Sequence, residues 1–119
     1  MTIKEIADRL VQLCARGQFE AAQKELFDEN AVSIEPYDTP DFPKETHGLD
    51  AIIEKGKKFD SRVQTMHTLE VSEPLVATES FAVTMHMDVT MEEQGHMDMV
   101  EICLYKVQNG KVISEEFFM

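Results

Sequence analysis

The chain has 119 residues, 43% of them hydrophobic and 29% charged, which is the composition of one globular domain over residues 1–119 and not of a disordered segment. Its 23 acidic and 11 basic side chains give a formal charge of -12, a field that repels the phosphates of nucleic acids and anionic membranes. The absence of a long apolar run and of an apolar leader after Met1 predicts a cytoplasmic protein without a membrane partner.

The N-terminal region has the periodicity of helices. Thr2 and Glu5 have the spacing of a capping box, and apolar residues at steps of three and four then predict a helix that ends at Gly17. A second helix begins at Phe19. A third follows Gly48, and we expect its lysines to face largely outward.

The segment between the second and third helices shows little periodicity in its apolar residues. Asp28–Asn30 is predicted to break the second helix, and Ala31–Glu35 reads as a short strand closed by Pro36. The stretch Pro36–His47 holds three prolines and predicts a long ordered loop. Loops of this length in compact domains tend to be lids or pocket walls.

Alternation of apolar and polar residues dominates the rest of the chain and predicts four long strands: Thr65–Leu75, Phe81–Met91, His96–Gln108 and Lys111–Phe118. Helices followed by a meander indicate an α+β fold, with three N-terminal helices on the concave face of a curved antiparallel sheet of four long strands and one short strand. Because the helices cover only one face, we expect a homodimer through the convex face.

The connection Glu92–Gly95 decides which residues share a face. If it is an even-numbered loop, even positions before it lie beside odd positions after it. One face would then hold an unusual mixture of polar and apolar side chains: Thr84, His86, Asp88, Thr90, Met99, Glu101, Cys103 and Tyr105. We interpret this face as a candidate active site.

Asp88 and Glu101 would be near neighbours on that face. Two carboxyls close together in an apolar pocket cannot both ionise cheaply, so one would have a raised pKa and serve as a general acid or base. Tyr105 either donates to a developing oxyanion or packs its ring in the core. His86 either acts as a base and orients Asp88 or is a structural histidine.

The last hairpin determines which of Glu115 and Glu116 joins this face. A bulged type I turn at Gln108–Gly110 selects Glu115, whereas a two-residue type I′ turn selects Glu116, and we favour Glu115. Further residues expected to form the binding wall are Met99, Cys103, Phe117 and Met119, with His67 as a candidate whose facing cannot be read from the sequence.

No metal or cofactor is expected. The two His-Met-Asp triplets at 86–88 and 96–98 would lie on opposite faces under the same parity and would not converge on an ion. Cys14 and Cys103 lack metal or redox spacing and are predicted to be buried free thiols. Phosphate-loop and nucleophile motifs are also missing.

The chain resembles the NTF2-like superfamily, the cone-shaped α+β fold of ketosteroid isomerases and polyketide cyclases, and most closely its SnoaL-like branch. The resemblance rests on the early helix pair, on Ala31–Pro36, on Glu45–Ile52 and on the tail Glu101–Phe118. It implies a pocket between the concave sheet face and the helices, and a dimer through the convex face. Cys103 stands where ketosteroid isomerases carry an oxyanion-hole carboxyl, so their reaction is not transferred.

These observations predict a small-molecule pocket protein that takes an apolar or carbonyl-containing molecule. The leading hypothesis is a cofactor-independent isomerase or cyclase in which Asp88 or Glu101 is the base, and Tyr105 or a protonated carboxyl is the donor to the enolate oxygen. The alternatives are a non-catalytic module that binds an apolar ligand and a dimeric interaction protein whose cone is filled by its own side chains.

Overall fold

A computed structural model describes residues 1–119 and confirms the predicted α+β fold. The helices are α1 (Ile3–Cys14), α2 (Phe19–Leu26) and α3 (Leu49–Arg62). The strands are β1 (Phe27–Ile34), β2 (Glu45–His47), β3 (Val63–Val71), β4 (Leu75–Val76), β5 (Ser80–Met91), β6 (Gly95–Gln108) and β7 (Lys111–Phe118). β2 and β4 were not predicted, because two or three residues are too few to produce a readable alternation.

The helix ends follow from local chemistry at α1 and from tertiary pairing at α2. The Thr2 hydroxyl accepts the Glu5 amide at 3.2 Å while the Glu5 carboxylate accepts the Thr2 amide at 2.8 Å, which completes the capping box. α2 ends at Leu26, before the predicted break at Asp28–Asn30, but the chain passes directly into β1 at Phe27 and not at the predicted Ala31. Phe27 is buried and pairs with Val112 of β7, so sheet formation overrides the loop-like composition.

The sheet is mixed, and not wholly antiparallel as predicted. Its strand order is β2-β1-β7-β6-β5-β3, with β4 on β5. β1 and β7 run parallel, whereas the other pairs are antiparallel. No local sequence pattern indicates this pair, because most of the domain separates the two strands and no hairpin fixes their direction.

The connection between β5 and β6 overturns the predicted face assignment. Met91 pairs with Gly95, so the loop holds three residues, and Gly95 adopts a φ of 75° that suits a tight reversal. An odd-numbered loop places odd positions opposite odd positions, and Met85 therefore faces Glu101. Thr84, His86, Asp88 and Thr90 lie on the opposite side of the sheet from Met99, Glu101, Cys103 and Tyr105.

The last hairpin reaches the predicted register by a different route. Asn109 and Gly110 have φ values of 53° and 76°, as in a two-residue type I′ turn, which by itself would select Glu116. A register shift between Lys106 and Val107 then restores the phase, and Tyr105 pairs with Glu115. Glu115 therefore lies on the inner face, as favoured.

The inner face of the sheet and the three helices enclose the core, whose largest fully buried side chains are Phe81, Ile6, Leu10, Leu26, Ile52, Val89 and Val112. No helix covers the outer face. There Val100, Ile102 and Phe118 are 59%, 49% and 44% exposed. None of the helices has the length and apolar character needed to cross a membrane.

Candidate functional site

A cavity of about 630 Å³ opens between the helices and the inner sheet face. Six of the eight methionines line it: Met85, Met87, Met91, Met97, Met99 and Met119. Of these, Met99 and Met119 were predicted from the sequence as wall residues. Thioether side chains are flexible and polarisable, so this wall can adapt to apolar ligands of different shapes.

The mouth of the cavity is walled by the loop between β1 and β2, as its length predicted. Tyr37, Pro40 and Phe42 line the opening. The loop is held to α3 by a 2.9 Å bond from Arg62 Nη1 to Asp41 Oδ2. Lys58 Nζ lies 5.1 Å from the centre of the Phe42 ring on the same side, within cation–π range.

Glu101 is a partly buried carboxyl of the cavity with little hydrogen-bond support. Its one side-chain hydrogen bond comes from the Cys103 thiol at 3.9 Å, a long and weak contact. Burial, followed by the nearby carboxylates of Glu35 and Glu115, raises the pKa of Glu101 from 4.5 to about 7. This side chain can therefore both take and give a proton near neutral pH.

Glu115 is more deeply buried, at 4% exposure, but it has a strong partner. The fully buried Ser33 hydroxyl donates to Glu115 Oε2 at 2.6 Å. Lys55 Nζ donates to Ser33 Oγ at 2.6 Å and to Glu35 Oε1 at 2.9 Å. Burial raises the pKa of Glu115, while the Ser33 hydrogen bond and the Lys55 charge oppose that rise.

Tyr105 and Cys103 lie deep on the inner face. The Tyr105 ring stacks on Phe81 at 4.9 Å between centroids and meets Phe27 edge-on at 6.4 Å. Burial raises the pKa of Tyr105 well above its ordinary value and also raises that of the Cys103 thiol, so both groups are neutral at physiological pH. Cys14 is likewise buried and free, as predicted.

Three predicted site residues lie outside the cavity, on the outer face. His86 Nε2 is 2.6 Å from Asp98 Oδ1, and Asp88 Oδ1 is 2.5 Å from the ring of His96. His67 is bonded to Thr90 at 2.7 Å on the same side. The predicted Asp88–Glu101 pair is wrong because the three-residue loop reverses the phase of β5 against β6.

The two His-Met-Asp triplets share a face, contrary to the expected parity, and form crossed His–Asp pairs. The structure nevertheless contains no group of three or more His, Cys, Asp or Glu side chains placed to hold a metal ion.

Sequence reasoning missed Ser33, Glu35 and Lys55. Two signals point to them. Alternation from Ala31 places Ser33 on the inner face of β1, and Glu35 follows with the same parity just beyond the strand. Lys55 follows Ile52 by three residues and precedes Phe59 by four, which puts it on the apolar stripe of α3 and not on the outward side.

The full length of the chain, residues 1–119, matches the family model of the SnoaL-like domain. The chain belongs to the SnoaL-like family. A SnoaL-like protein of Mesorhizobium loti, described as a candidate polyketide cyclase with carbohydrate phosphatase given alongside, shares 30% identity, with 100% of each chain covered and a TM-score of 0.93. A search of curated proteins finds no match.

More distant structures share the fold alone. An NTF2-like protein of Burkholderia thailandensis is 15% identical with a TM-score of 0.84, over 99% of this chain and 90% of the other. A protein of Catenulispora acidiphila with a ketosteroid isomerase-like fold, solved with trimethylamine, is 11% identical with a TM-score of 0.73, over 100% and 87%. The SnoaL-like fold of this chain is consistent with a small-molecule binding domain.

Proposed function

We propose that this SnoaL-like protein is a cofactor-independent isomerase or cyclase that moves a proton next to a carbonyl group in an apolar small molecule. The observation that carries the proposal is Glu101, a carboxyl with its pKa raised to about 7 in a methionine-lined cavity of about 630 Å³. A base of this strength suits proton abstraction at neutral pH.

In this mechanism Glu101 takes a proton from the carbon beside the carbonyl, and the electron pair moves onto the carbonyl oxygen. In an isomerase the protonated Glu101 returns the proton to another carbon. In a cyclase the enolate carbon attacks a second carbonyl of the same molecule, the first carbonyl re-forms, and the resulting alkoxide takes the proton back from Glu101. Tyr105, whose phenol is neutral, would donate to the enolate oxygen. Met99, Cys103, Phe117 and Met119 would form the wall.

The names of related proteins do not determine which reaction this protein catalyses. The Mesorhizobium loti protein carries two activity names, a cyclase and a phosphatase, that share no chemistry. The local chemistry of the cavity favours the former class: its deep end presents carboxyls near Glu101 with Lys55 as their ammonium partner, an arrangement that does not favour a phosphate ester.

A non-catalytic binding module is the second candidate, and the methionine wall favours it, since such walls suit varied apolar ligands. The third hypothesis, a cone filled by its own side chains, is disfavoured by the size of the cavity. Under any of these functions we further propose a homodimer through the outer sheet face, supported by the exposure of Val100, Ile102 and Phe118.

Deuterium exchange tests the enzymatic proposal without knowledge of the natural substrate. A panel of unsaturated cyclic ketones and aromatic polyketide methyl esters is incubated with the protein in D2O, and exchange at carbons next to carbonyls is followed by NMR. Protein-dependent exchange that is lost in Glu101→Gln supports the proposal. Exchange at equal rates with both proteins would reject Glu101 as the base.

A further inference from the structure

The cavity contains two carboxyls of different character on adjacent strands, Glu101 on β6 and Glu115 on β7. Glu115 is the more buried of the two, and burial alone would give it the higher pKa. It is, however, connected through Ser33 to Lys55, whereas Glu101 has only the distant Cys103 thiol. The hydrogen-bond chain therefore opposes the ranking that burial alone would give.

The direction of the hydrogen bonds in the chain is fixed by Lys55. An ammonium group only donates, so Ser33 Oγ must accept from Lys55 at 2.6 Å. The single hydroxyl hydrogen of Ser33 is then free to point at Glu115 Oε2, also at 2.6 Å. Glu115 is held as an acceptor, the role that favours its ionised form.

We propose that Lys55, acting through Ser33, keeps the Glu115 carboxyl ionised and leaves the exchangeable proton of the Glu101–Glu115 pair on Glu101. Lys55 and Ser33 are thus positioning residues. The significance of this for catalysis rests on the proposed function, but the proton distribution itself is a property of the ligand-free protein.

The other titratable groups near Glu115 do not compete for the proton. Cys14 of α1 has its pKa raised to about 12 by burial. Cys103 and Tyr105 of β6 also have raised pKa values, with burial as the main cause, and are neutral. The groups that remain to set the charge of Glu115 are Lys55 from α3 and the carboxylate of Glu35 beyond β1.

The test is an NMR titration of ¹³C-labelled glutamate carboxyls in the protein without ligand, with Glu101 and Glu115 assigned by substitution to glutamine. In the wild type we expect Glu115 to be ionised at pH 7 and to titrate below Glu101. In Lys55→Met we expect the Glu115 midpoint to rise by about 1 to 3 pH units, the usual effect of removing a neighbouring opposite charge. Ser33→Ala should shift it in the same direction.

Lys57→Met is the matched control, because Lys57 lies on the same helix, is more than half exposed and pairs with Glu20 and Glu54 at 3.8 and 3.7 Å. It should leave both midpoints unchanged. If Lys55→Met does not fold, Ser33→Ala decides alone. A Glu115 midpoint above that of Glu101 in the wild type, or one that no variant moves, would overturn the inference. If no deuterium exchange is detected, the enzymatic proposal fails, but the proton distribution between Glu101 and Glu115 measured by this titration is unaffected.

Discussion

Glu115 Oε2 accepts a 2.6 Å hydrogen bond from Ser33 Oγ, although the two residues lie 82 positions apart in the sequence. The bond exists because β1 and β7 run side by side in parallel, with Ser33 and Glu115 in register. It gives one buried cavity carboxyl a polar partner that Glu101 lacks. The two acids of the cavity are therefore chemically unequal.

Glu101→Gln separates the enzyme from the binding module. Since glutamine keeps the size of the side chain but cannot accept a proton from carbon, we expect exchange at the carbonyl-adjacent carbon to fall by about 10² to 10⁴. Binding of a fluorescent apolar probe such as 1-anilinonaphthalene-8-sulfonate, measured by titration, should change little. Glu116→Gln is the control, because Glu116 lies on the outer side of the neighbouring strand β7. Equal loss in both variants would point to a general disturbance of β7 and β6 and not to a base.

Ser33→Ala should destabilise the fold. The change leaves the buried Glu115 carboxylate without its donor and Lys55 without one acceptor, which costs about 1 to 3 kcal/mol in the free energy of unfolding. Urea denaturation at pH 7 measures it. Ser114→Ala, on the same sheet but with a side chain that makes no hydrogen bond, should cost much less, and equal losses for the two variants would contradict the importance of the network.

The pH dependence of stability should carry the signature of Glu101. Its folded pKa of about 7 lies above the reference of 4.5, so the folded state binds the proton more tightly than the unfolded state. The resulting stabilisation is complete below pH 4.5 and is lost as the pH rises to about 7. At about 1.4 kcal/mol per pKa unit, a shift from 4.5 to about 7 makes the loss at most about 3.5 kcal/mol.

Urea denaturation of the wild type and Glu101→Gln at pH 5 and pH 8 isolates this contribution. Carboxyls with lowered pKa values, such as Glu25 beside Arg9 and Asp41 beside Arg62, act in the opposite sense and lose their contribution only at more acidic pH. The wild type should lose more stability between the two pH values than the variant does. Parallel losses would show that Glu101 is not a tight proton binder.

Val100→Glu should abolish the proposed dimer. Val100 is 59% exposed in the outer apolar patch, and burying a charge there on association is costly. Sedimentation velocity at micromolar concentration should show a dimer for the wild type and a monomer for the variant. Ala21→Glu adds the same charge to the exposed side of α2 and should remain dimeric. A monomeric wild-type protein would reject the dimer.

The elements of the fold could be predicted from the sequence because their signals are local. The capping box at Thr2 and the alternation in β5 to β7 each occupy a short window. Which face a side chain occupies was less predictable, since it depends on the exact number of residues in a turn. The loop before Gly95 has three residues and not an even number, and this places Asp88 and His86 on the outer face. Glu115 was assigned correctly only because a register shift near Val107 compensated for the two-residue turn.

The partners of Glu115 could not be predicted at all. Ser33 reaches it through a parallel strand pair that no local pattern encodes, and Lys55 is brought to it by the packing of α3 on the sheet. The spacing of Lys55 on the apolar stripe of its helix marks it as inward-facing, but only the assembled sheet reveals what it contacts.

The proposed function requires that the Glu101 carboxyl, inside an apolar cavity, has a raised pKa. Direct titration of its carboxyl carbon by ¹³C NMR in the wild-type protein tests that claim without any substrate. We expect a midpoint near 7, with the signal lost in Glu101→Gln. A midpoint near 4.3, the value of an unperturbed glutamate, would contradict it.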